Sequence, residues 1–333
     1  MSDPRFFELA RMPLNQRAVR IAEIFNSGAA EDDDAPSRAK RRALRAEALK
    51  ESPSAFFARR IRELRHWGSP RRVGETTRIV ARMIRDWAAN GAFPSPGNHT
   101  PGSSGFCGRA ASLAPDYLAE AYSRGLAPRN FLGVATLWSP ATRAVLRPWD
   151  FPRGLTHAHT EACSISLDES FDDVLRASAG QDPDHRRDPW IDLALADLFD
   201  AGFAHSLEVR DIDGALIAGL IGVAIGGVFT IERLYARDQE ALTRGANSLA
   251  FQLQRWNFAL IDMPATSELA RSLRCANISR SAYGAELAGN GCGGRHGHWR
   301  ISMDFRQPAR SSDSFLPQKV PANQQMGHVR DAV

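Results

Sequence analysis

Two carboxylates, Glu232 and Asp262, each end a run of mostly apolar residues in the second half of the chain. Glu232 closes Phe229-Thr230-Ile231-Glu232, and Asp262 closes Leu260-Ile261-Asp262. A carboxylate can bind a cation or accept a proton from an attacking amine, and apolar neighbours make such a group unusual. We therefore expect the two side chains to lie near one apolar-walled cleft.

The elements that would position these carboxylates occupy residues 204–262. Residues 205–210 and the run from Ala215 flank Asp211-Ile212-Asp213-Gly214, which is a good hairpin turn. Residues 239–256 have the pattern of a helix, and residues 258–261 that of a strand. This order predicts an α/β (α+β) fold, a mixed sheet with flanking helices of acetyltransferase-like (GNAT-like) character.

The cofactor of acetyltransferases is not expected here. A pyrophosphate loop needs Gln or Arg, two residues, Gly, one residue and Gly or Ala at a helix start, where backbone amides hold phosphates. The corresponding stretch, Leu242-Thr243-Arg244-Gly245-Ala246-Asn247, does not fit. A metal is not expected either, because Cys292, His296 and His298 lack a fourth ligand at a sensible spacing. His157 and His159 are interpreted as surface residues, and His205 as structural.

Outside this segment, residues 1–92 are predicted to be a basic helical extension, with helices over 39–49, 55–67 and 76–87. Between Arg38 and Arg72 lie twelve Lys or Arg against three Glu, which indicates either a phosphate-binding surface or a solvated basic face. The composition of residues 93–108 predicts a linker. Residues 137–140 are predicted to be a loop, and residues 291–333 a disordered tail. The remaining predicted elements are a helix at 115–124, a strand at 144–146, a strand at 164–167, a helix at 170–179 and a helix at 190–201.

The chain as a whole has the composition of an ordinary globular protein. It has 333 residues and a net charge of +4, and its four cysteines show no paired spacing. We therefore expect no disulfide framework and a reducing, cytoplasmic location. No uninterrupted apolar run reaches the roughly 18 residues of a membrane span, and the first residues lack the order of a signal peptide.

The order of several motifs resembles the leucyl/phenylalanyl-tRNA–protein transferase family. The motifs are Phe93-Pro94-Ser95-Pro96, Ala121-Tyr122-Ser123-Arg124-Gly125, Trp138-Ser139-Pro140, Arg143-Ala144-Val145-Leu146, Gly202-Phe203-Ala204-His205-Ser206-Leu207-Glu208-Val209, Gly219-Leu220-Ile221-Gly222-Val223-Ala224, Glu232 and Leu260-Ile261-Asp262. The resemblance covers about residues 93–288. It implies a small N-terminal domain at 93–145, rather than a linker, and an acetyltransferase-like catalytic domain at 146–290.

The resemblance implies an aminoacyltransferase that moves Leu or Phe from charged tRNA to the N-terminal α-amine of proteins starting with Arg or Lys. Such tagging marks a protein for degradation under the N-end rule. The implied partners are aminoacyl-tRNA, a protein or peptide with a basic N-terminal residue, and a downstream protease adaptor. No cofactor, metal or membrane is implied.

Glu232 and Asp262 then take implied roles. Glu232 matches an acidic residue that recognises the basic acceptor, and its alternative is a solvated carboxylate paired with Arg233 or Arg237. Asp262 matches an aspartate that activates the amine, and its alternative is a turn or helix-cap residue before Pro264.

The remaining implied site residues are apolar or lie near the tRNA end. Leu220, Phe229, Leu234, Leu249, Leu253 and Ile261 match the aminoacyl pocket, although ordinary core packing explains them equally well. Trp190, Arg129 and Trp138 match the surface near the tRNA 3′ end. Trp190 is alternatively a packing residue at a helix start.

Four departures from the family pattern fall near the reacting groups. Pro264 stands in place of a glutamine, Arg129 in place of a tryptophan, Leu242-Thr243 in place of Ser-Lys, and Leu269 in place of a histidine. Proline has no polar side chain, so the glutamine's part in the implied relay is lost. Arg129 could stack on adenine or contact phosphate. Two alternatives thus stay open: a relative that binds charged tRNA or basic N-termini without catalysis, or transfer of another acyl group.

Overall fold

The computed structural model describes residues 35–88, 93–150, 163–179, 181, 188–264, 267–290, 295 and 297–300. The predictions for residues 1–34, for His157 and His159, for Cys292 and His296, and for residues 301–333 lie outside these ranges. None of the helices in the described ranges combines the length and apolar character that a membrane crossing requires.

A seven-stranded sheet, ordered β10-β4-β9-β8-β7-β6-β5, is the centre of the fold. Its strands are β4 (Thr142–Leu146), β5 (Ser164–Leu167), β6 (Ala204–Arg210), β7 (Leu216–Ile225), β8 (Val228–Ala236), β9 (Leu260–Met263) and β10 (Ala276–Ser279). All neighbours are antiparallel except β8 and β9, which are parallel. This arrangement confirms a mixed α/β fold, and the finer acetyltransferase-like assignment stays a prediction.

A three-stranded antiparallel sheet, ordered β1-β3-β2, precedes the large one. Its strands are β1 (Phe106–Arg109), β2 (Ala127–Phe131) and β3 (Val134–Trp138). The linker prediction for 93–108 is therefore wrong from Phe106 onward, where β1 begins, and the loop predicted at 137–140 begins inside β3. These strands are short and lie between glycine-rich turns, so the alternation of apolar and polar residues that predicts a strand is hard to see in the sequence. The predicted boundary between 145 and 146 falls inside β4.

Nine α-helices and two short 3-10 helices lie in the described ranges, and most of the α-helices agree with the periodicity. They are α1 (Ala35–Ala48), α2 (Pro53–Trp67), α3 (Val73–Ala88), α4 (Pro115–Ser123), α5 (Phe171–Ser178), α6 (Pro189–Asp200), α7 (Gln239–Arg255), α8 (Glu268–Ser272) and α9 (Arg280–Asn290). Asp238 caps α7 by accepting hydrogen bonds from the amides of Glu240 and Ala241. Helix α7 connects the parallel strands β8 and β9. Leu242 to Asn247, the stretch compared above with a pyrophosphate loop, lie inside this helix.

The helices of the basic extension pack against the rest of the molecule. Trp67 and Ile79 are buried with Phe131 and Trp138 in one apolar cluster. Further along the same interface, Asn130 Nδ2 donates to Glu63 Oε1 at 2.5 Å. Because this interface is apolar and hydrogen-bonded, removing residues 1–92 would expose core residues of the three-stranded sheet.

Trp299 corrects the prediction of a disordered tail. Its indole is fully buried and stacks on His205 with ring centroids 3.6 Å apart. Its backbone amide donates to Asp168 Oδ2 at 2.6 Å, and His205 Nδ1 lies 2.8 Å from the same oxygen. His205 is thus structural, as predicted, and the tail prediction is wrong at Trp299.

Candidate active site

The two predicted carboxylates lie where β8 and β9 separate. The parallel ladder pairs Val228 with Leu260 and ends, within the described residues, at Thr230 and Asp262. Strand β8 continues to Ala236 beside β7, whereas β9 ends at Met263. Glu232 lies two residues beyond Thr230, near enough to Asp262 for its charge to act on that carboxyl.

Asp262 is buried in an ion pair that the sequence did not predict. Its side chain is 2% exposed, and Arg143 Nη1 donates to Oδ2 at 2.5 Å. The guanidinium of Arg143 also lies 4.1 Å from the ring centre of Tyr283, whose phenol interacts with Asp262. Burial raises the pKa of Asp262 above its usual range, while Arg143 opposes this and the charge of Glu232 adds to it.

Glu232 is the extra residue of a β-bulge. Along β7, Ile221 pairs with Arg233 and the next residue, Gly222, pairs with Ile231, so Glu232 has no partner across the ladder. A bulge turns a side chain away from the regular alternation of a strand. Arg129 Nη1 donates to Glu232 Oε2 at 2.7 Å, and within the described part of the chain Oε1 is buried without a hydrogen-bond partner.

Further charges and one phenol surround this carboxylate. Arg233 donates to Asp192 Oδ1 at 2.9 Å through Nη2, and its Nη1 lies 3.8 Å from Glu232 Oε2. Burial, followed by the charge of Glu232, raises the pKa of Tyr122 well above its usual range. The hydroxyl of Tyr122 lies beside Glu232 but outside hydrogen-bond geometry with any described residue. The carboxylate is thus partnered by Arg129 and Arg233, and not by Arg237.

The six residues predicted to line the aminoacyl pocket belong to one apolar cluster. Five of them are fully buried, and Leu234 packs against the cluster from a half-buried position. Four lie on β7, β8 or β9 and two on α7: Leu220, Phe229, Leu234, Ile261, Leu249 and Leu253. The structure therefore brings them together in one cluster, an arrangement that suits both a pocket lining and a core.

The three residues predicted near the tRNA 3′ end lie in different environments. Trp190, at the start of α6, is 66% exposed, which contradicts its alternative role as a packing residue. Trp138 is buried against Trp67, and its indole nitrogen donates to Thr136 Oγ1 at 2.8 Å. Arg129 contacts Glu232 instead of facing solvent. Only the Trp190 ring is freely available for stacking.

Sequence reasoning missed Arg143, Tyr283 and Tyr122 as site residues. Arg143 opens one of the motifs quoted for the family resemblance, and Tyr122 lies within another. Both positions were therefore noticed in the sequence, but no function was predicted for them. Tyr283 had none, because α9 was not predicted as an element. Pro264 has no polar side-chain group to stand in for the missing glutamine, and Leu269 is buried in the core.

Many arginines of the basic extension are paired with acidic residues of the sheet domain or of the extension itself. Arg42 Nε donates to Asp197 at 2.9 Å, and Arg45 binds both Asp172 and Asp200. Arg59 binds Glu51, Glu63 and Asp188. These pairs attach the extension to α5 and α6, so only part of its positive charge remains for phosphates.

Comparison with known proteins identifies a family. The family model described as leucyl/phenylalanyl-tRNA protein transferase matches residues 148–288. The leucyl/phenylalanyl-tRNA–protein transferase of Alkalilimnicola ehrlichii is 34% identical over 221 residues, which are 64% of this chain and 86% of that protein. Its counterpart in Nitrosomonas europaea is 31% identical over 242 residues, or 69% of this chain and 99% of that protein.

A third relative, from Nitrosospira multiformis, is 34% identical over 62% of this chain and 91% of its own length. Among solved structures, L-PGS from Bacillus licheniformis overlaps with a TM-score of 0.28 at 11% identity, over 44% of this chain and 48% of that one. That likeness is too low to support any argument. The sequence relatives define the chain as an aminoacyltransferase. It belongs to the leucyl/phenylalanyl-tRNA–protein transferase family.

Proposed function

We propose that this chain moves Leu or Phe from charged tRNA to the N-terminal α-amine of proteins that begin with Arg or Lys. The observation that supports this most is the environment of Glu232. Its carboxylate is buried on a bulge and already holds a guanidinium, and within the described residues one of its oxygens has no partner in hydrogen-bond geometry. A basic acceptor side chain needs such an anion, because a buried cation must be paired.

Aminolysis of the tRNA ester then follows from the placement of Asp262. The neutral α-amine attacks the ester carbonyl, the new C–N bond forms, and the bond to the ribose oxygen breaks. Asp262 accepts a proton from the amine and passes it to the departing ribose oxygen. Burial raises the pKa of this carboxyl and makes it a better base, while the charge of Arg143 opposes that rise and favours the ionised form.

The apolar cluster and the exposed tryptophan complete the proposal. Leu220, Phe229 and the other four predicted residues would receive the Leu or Phe side chain, and Trp190 would stack on the terminal adenine. In this proposal the catalytic domain is acetyltransferase-like, the protein acts in the cytoplasm, and the tagged product passes to a protease adaptor. No metal or cofactor takes part.

The test is transfer of radiolabelled Leu or Phe from tRNA to peptides that differ only in their first residue. We expect product with Arg and Lys peptides, a fall in kcat of about 100-fold or more in Asp262→Asn, and a raised KM for the Arg peptide in Glu232→Gln. Asp213→Asn on the exposed hairpin turn is the control for Asp262. Absence of transfer to every peptide by folded protein would refute the proposal.

A second candidate function, binding of charged tRNA or basic N-termini without transfer, is favoured by Pro264. Proline cannot supply the polar partner that relatives place near the aspartate, and Asp262 is instead held by Arg143. The variant Pro264→Gln separates the candidates. Transfer that appears only in this variant would support the binding function, and equal transfer by both proteins would exclude it. A panel of other acyl-tRNAs tests transfer of a different acyl group.

A further inference from the structure

The Arg129–Glu232 ion pair bears on which acceptors this chain selects. Arg129 Nη1 lies 2.7 Å from Glu232 Oε2, although the two residues are 103 positions apart in the sequence. The same nitrogen lies 2.8 Å from the carbonyl oxygen of Pro128, so the guanidinium is held from its own strand as well. Arg129 thus makes the contact that an arginine side chain of an acceptor would make.

The charges around Glu232 are already balanced. Among the described residues, Arg129 and Arg233 are the cations that form ion pairs with this carboxylate, and Asp192 pairs with Arg233. The two positive and two negative charges cancel. A second guanidinium placed at Glu232 would therefore add an uncompensated charge to a buried site, unless Arg129 first moved away.

Arg129 is the member of the pair that is able to move. Its side chain is 16% exposed, whereas that of Glu232 is 1% exposed. Arg233 is more deeply buried and is held by two hydrogen bonds, from Nε and Nη2, to Asp192 Oδ1. An acceptor cation would thus displace Arg129 rather than Arg233, and the remaining oxygen, Glu232 Oε1, is the one without a partner in the described chain.

We propose that Arg129 is a specificity-determining residue that competes with the acceptor's basic side chain for Glu232. This inference rests on the proposed function, because it assumes that Glu232 receives the acceptor. A competitor inside the site lowers the apparent affinity for Arg and Lys acceptors by the fraction of time that Glu232 is free. Acceptors with an uncharged first side chain do not need Glu232, so Arg129 shifts the preference toward them.

The experiment compares Arg129→Gln with the unaltered chain, using peptides that begin with Arg or with Ala and are otherwise identical. We expect Arg129→Gln to bind the Arg peptide about tenfold more tightly by calorimetry, with little change for the Ala peptide. In the transfer assay KM for the Arg peptide should fall by a similar factor.

Two further variants act as controls. Arg129→Lys keeps a cation beside Glu232 and should keep the original preference. Arg62→Gln removes an exposed arginine whose Nε donates to the Ala58 carbonyl of its own helix, and it should not change the affinity for either peptide. The unfolding midpoint of each variant, measured alongside, identifies any variant that fails to fold, and Arg129→Ala then replaces Arg129→Gln.

The outcomes separate this inference from the proposed function. Equal affinities of Arg129→Gln and the unaltered chain for the Arg peptide would overturn the competition. Tighter binding without transfer by any variant would support competition and refute the proposed function. Tighter binding of the Arg and Ala peptides alike would also overturn it, because competition at Glu232 requires a cation.

Discussion

The Arg143–Asp262 ion pair gives the most direct test of the energetics of this site. Both side chains are almost fully buried, at 6% and 2% exposure. The variant Arg143→Met keeps most of the side-chain length but leaves the carboxylate without its counter-charge. Two unit charges about 4 Å apart at an effective dielectric constant of about 20 interact by about 4 kcal/mol. Breaking a buried pair on one side costs about 3–5 kcal/mol.

The assay is equilibrium unfolding in urea followed by tryptophan fluorescence. We expect Arg143→Met to lose about 3–5 kcal/mol of unfolding free energy. The double variant Arg143→Met with Asp262→Asn should lose less than the sum of the single variants, because no buried charge is left. Arg176→Met breaks an exposed pair with Asp173 and should change stability by less than about 0.5 kcal/mol.

The loss in Arg143→Met should also depend on pH. Burial already raises the pKa of Asp262, and removal of Arg143 raises it further. The folded variant then holds a proton that the unfolded chain releases, so its stability falls as pH rises. The deficit against the unaltered chain should be larger at about pH 8 than at about pH 5. Equal losses of unfolding free energy in Arg143→Met and Arg176→Met would refute this reasoning. A loss in Arg143→Met that does not change with pH would refute it as well.

Three other predictions concern stacking, packing and pH. Trp190→Ala should weaken tRNA binding by about 1–3 kcal/mol in a filter-binding assay. Its free energy of unfolding should not change, because the ring is exposed. An unchanged affinity for tRNA would contradict the stacking role. Gly222→Ala would place a methyl group 2.3 Å from Phe229 Cζ and should lose about 1–3 kcal/mol in urea, whereas Gly284→Ala meets nothing within 4 Å and should be neutral or stabilising. Burial lowers the pKa of His205, so stability should be full above its unfolded pKa of about 6.5 and fall as pH decreases below it. Urea midpoints that stay level from about pH 7.5 to about pH 5.5, or an equally steep fall in His205→Asn, would contradict this last expectation.

Much of the large sheet followed from local sequence patterns. The hairpin around Asp211 and Gly214, helices α5, α6 and α7, and strand β5 lie close to their predicted positions because each has its own periodicity and turn residues. The three-stranded sheet did not follow. Its strands are four or five residues long, and β2 contains Pro128, so tertiary pairing overrode the local composition.

Family membership and the two carboxylates could be inferred from the sequence, because motif order and an acidic residue in an apolar run are visible in one dimension. Their partners could not. Arg143 and Asp262 are 119 positions apart, and Arg129 and Glu232 are 103 apart. An ion pair depends on which strands become neighbours, and the insertion of β4 beside β9 brings Arg143 to Asp262. The sequence by itself therefore determined which charged groups this transferase contains. The tertiary structure decided which of them neutralise each other, because a charge buried in the fold is costly unless an opposite charge lies beside it.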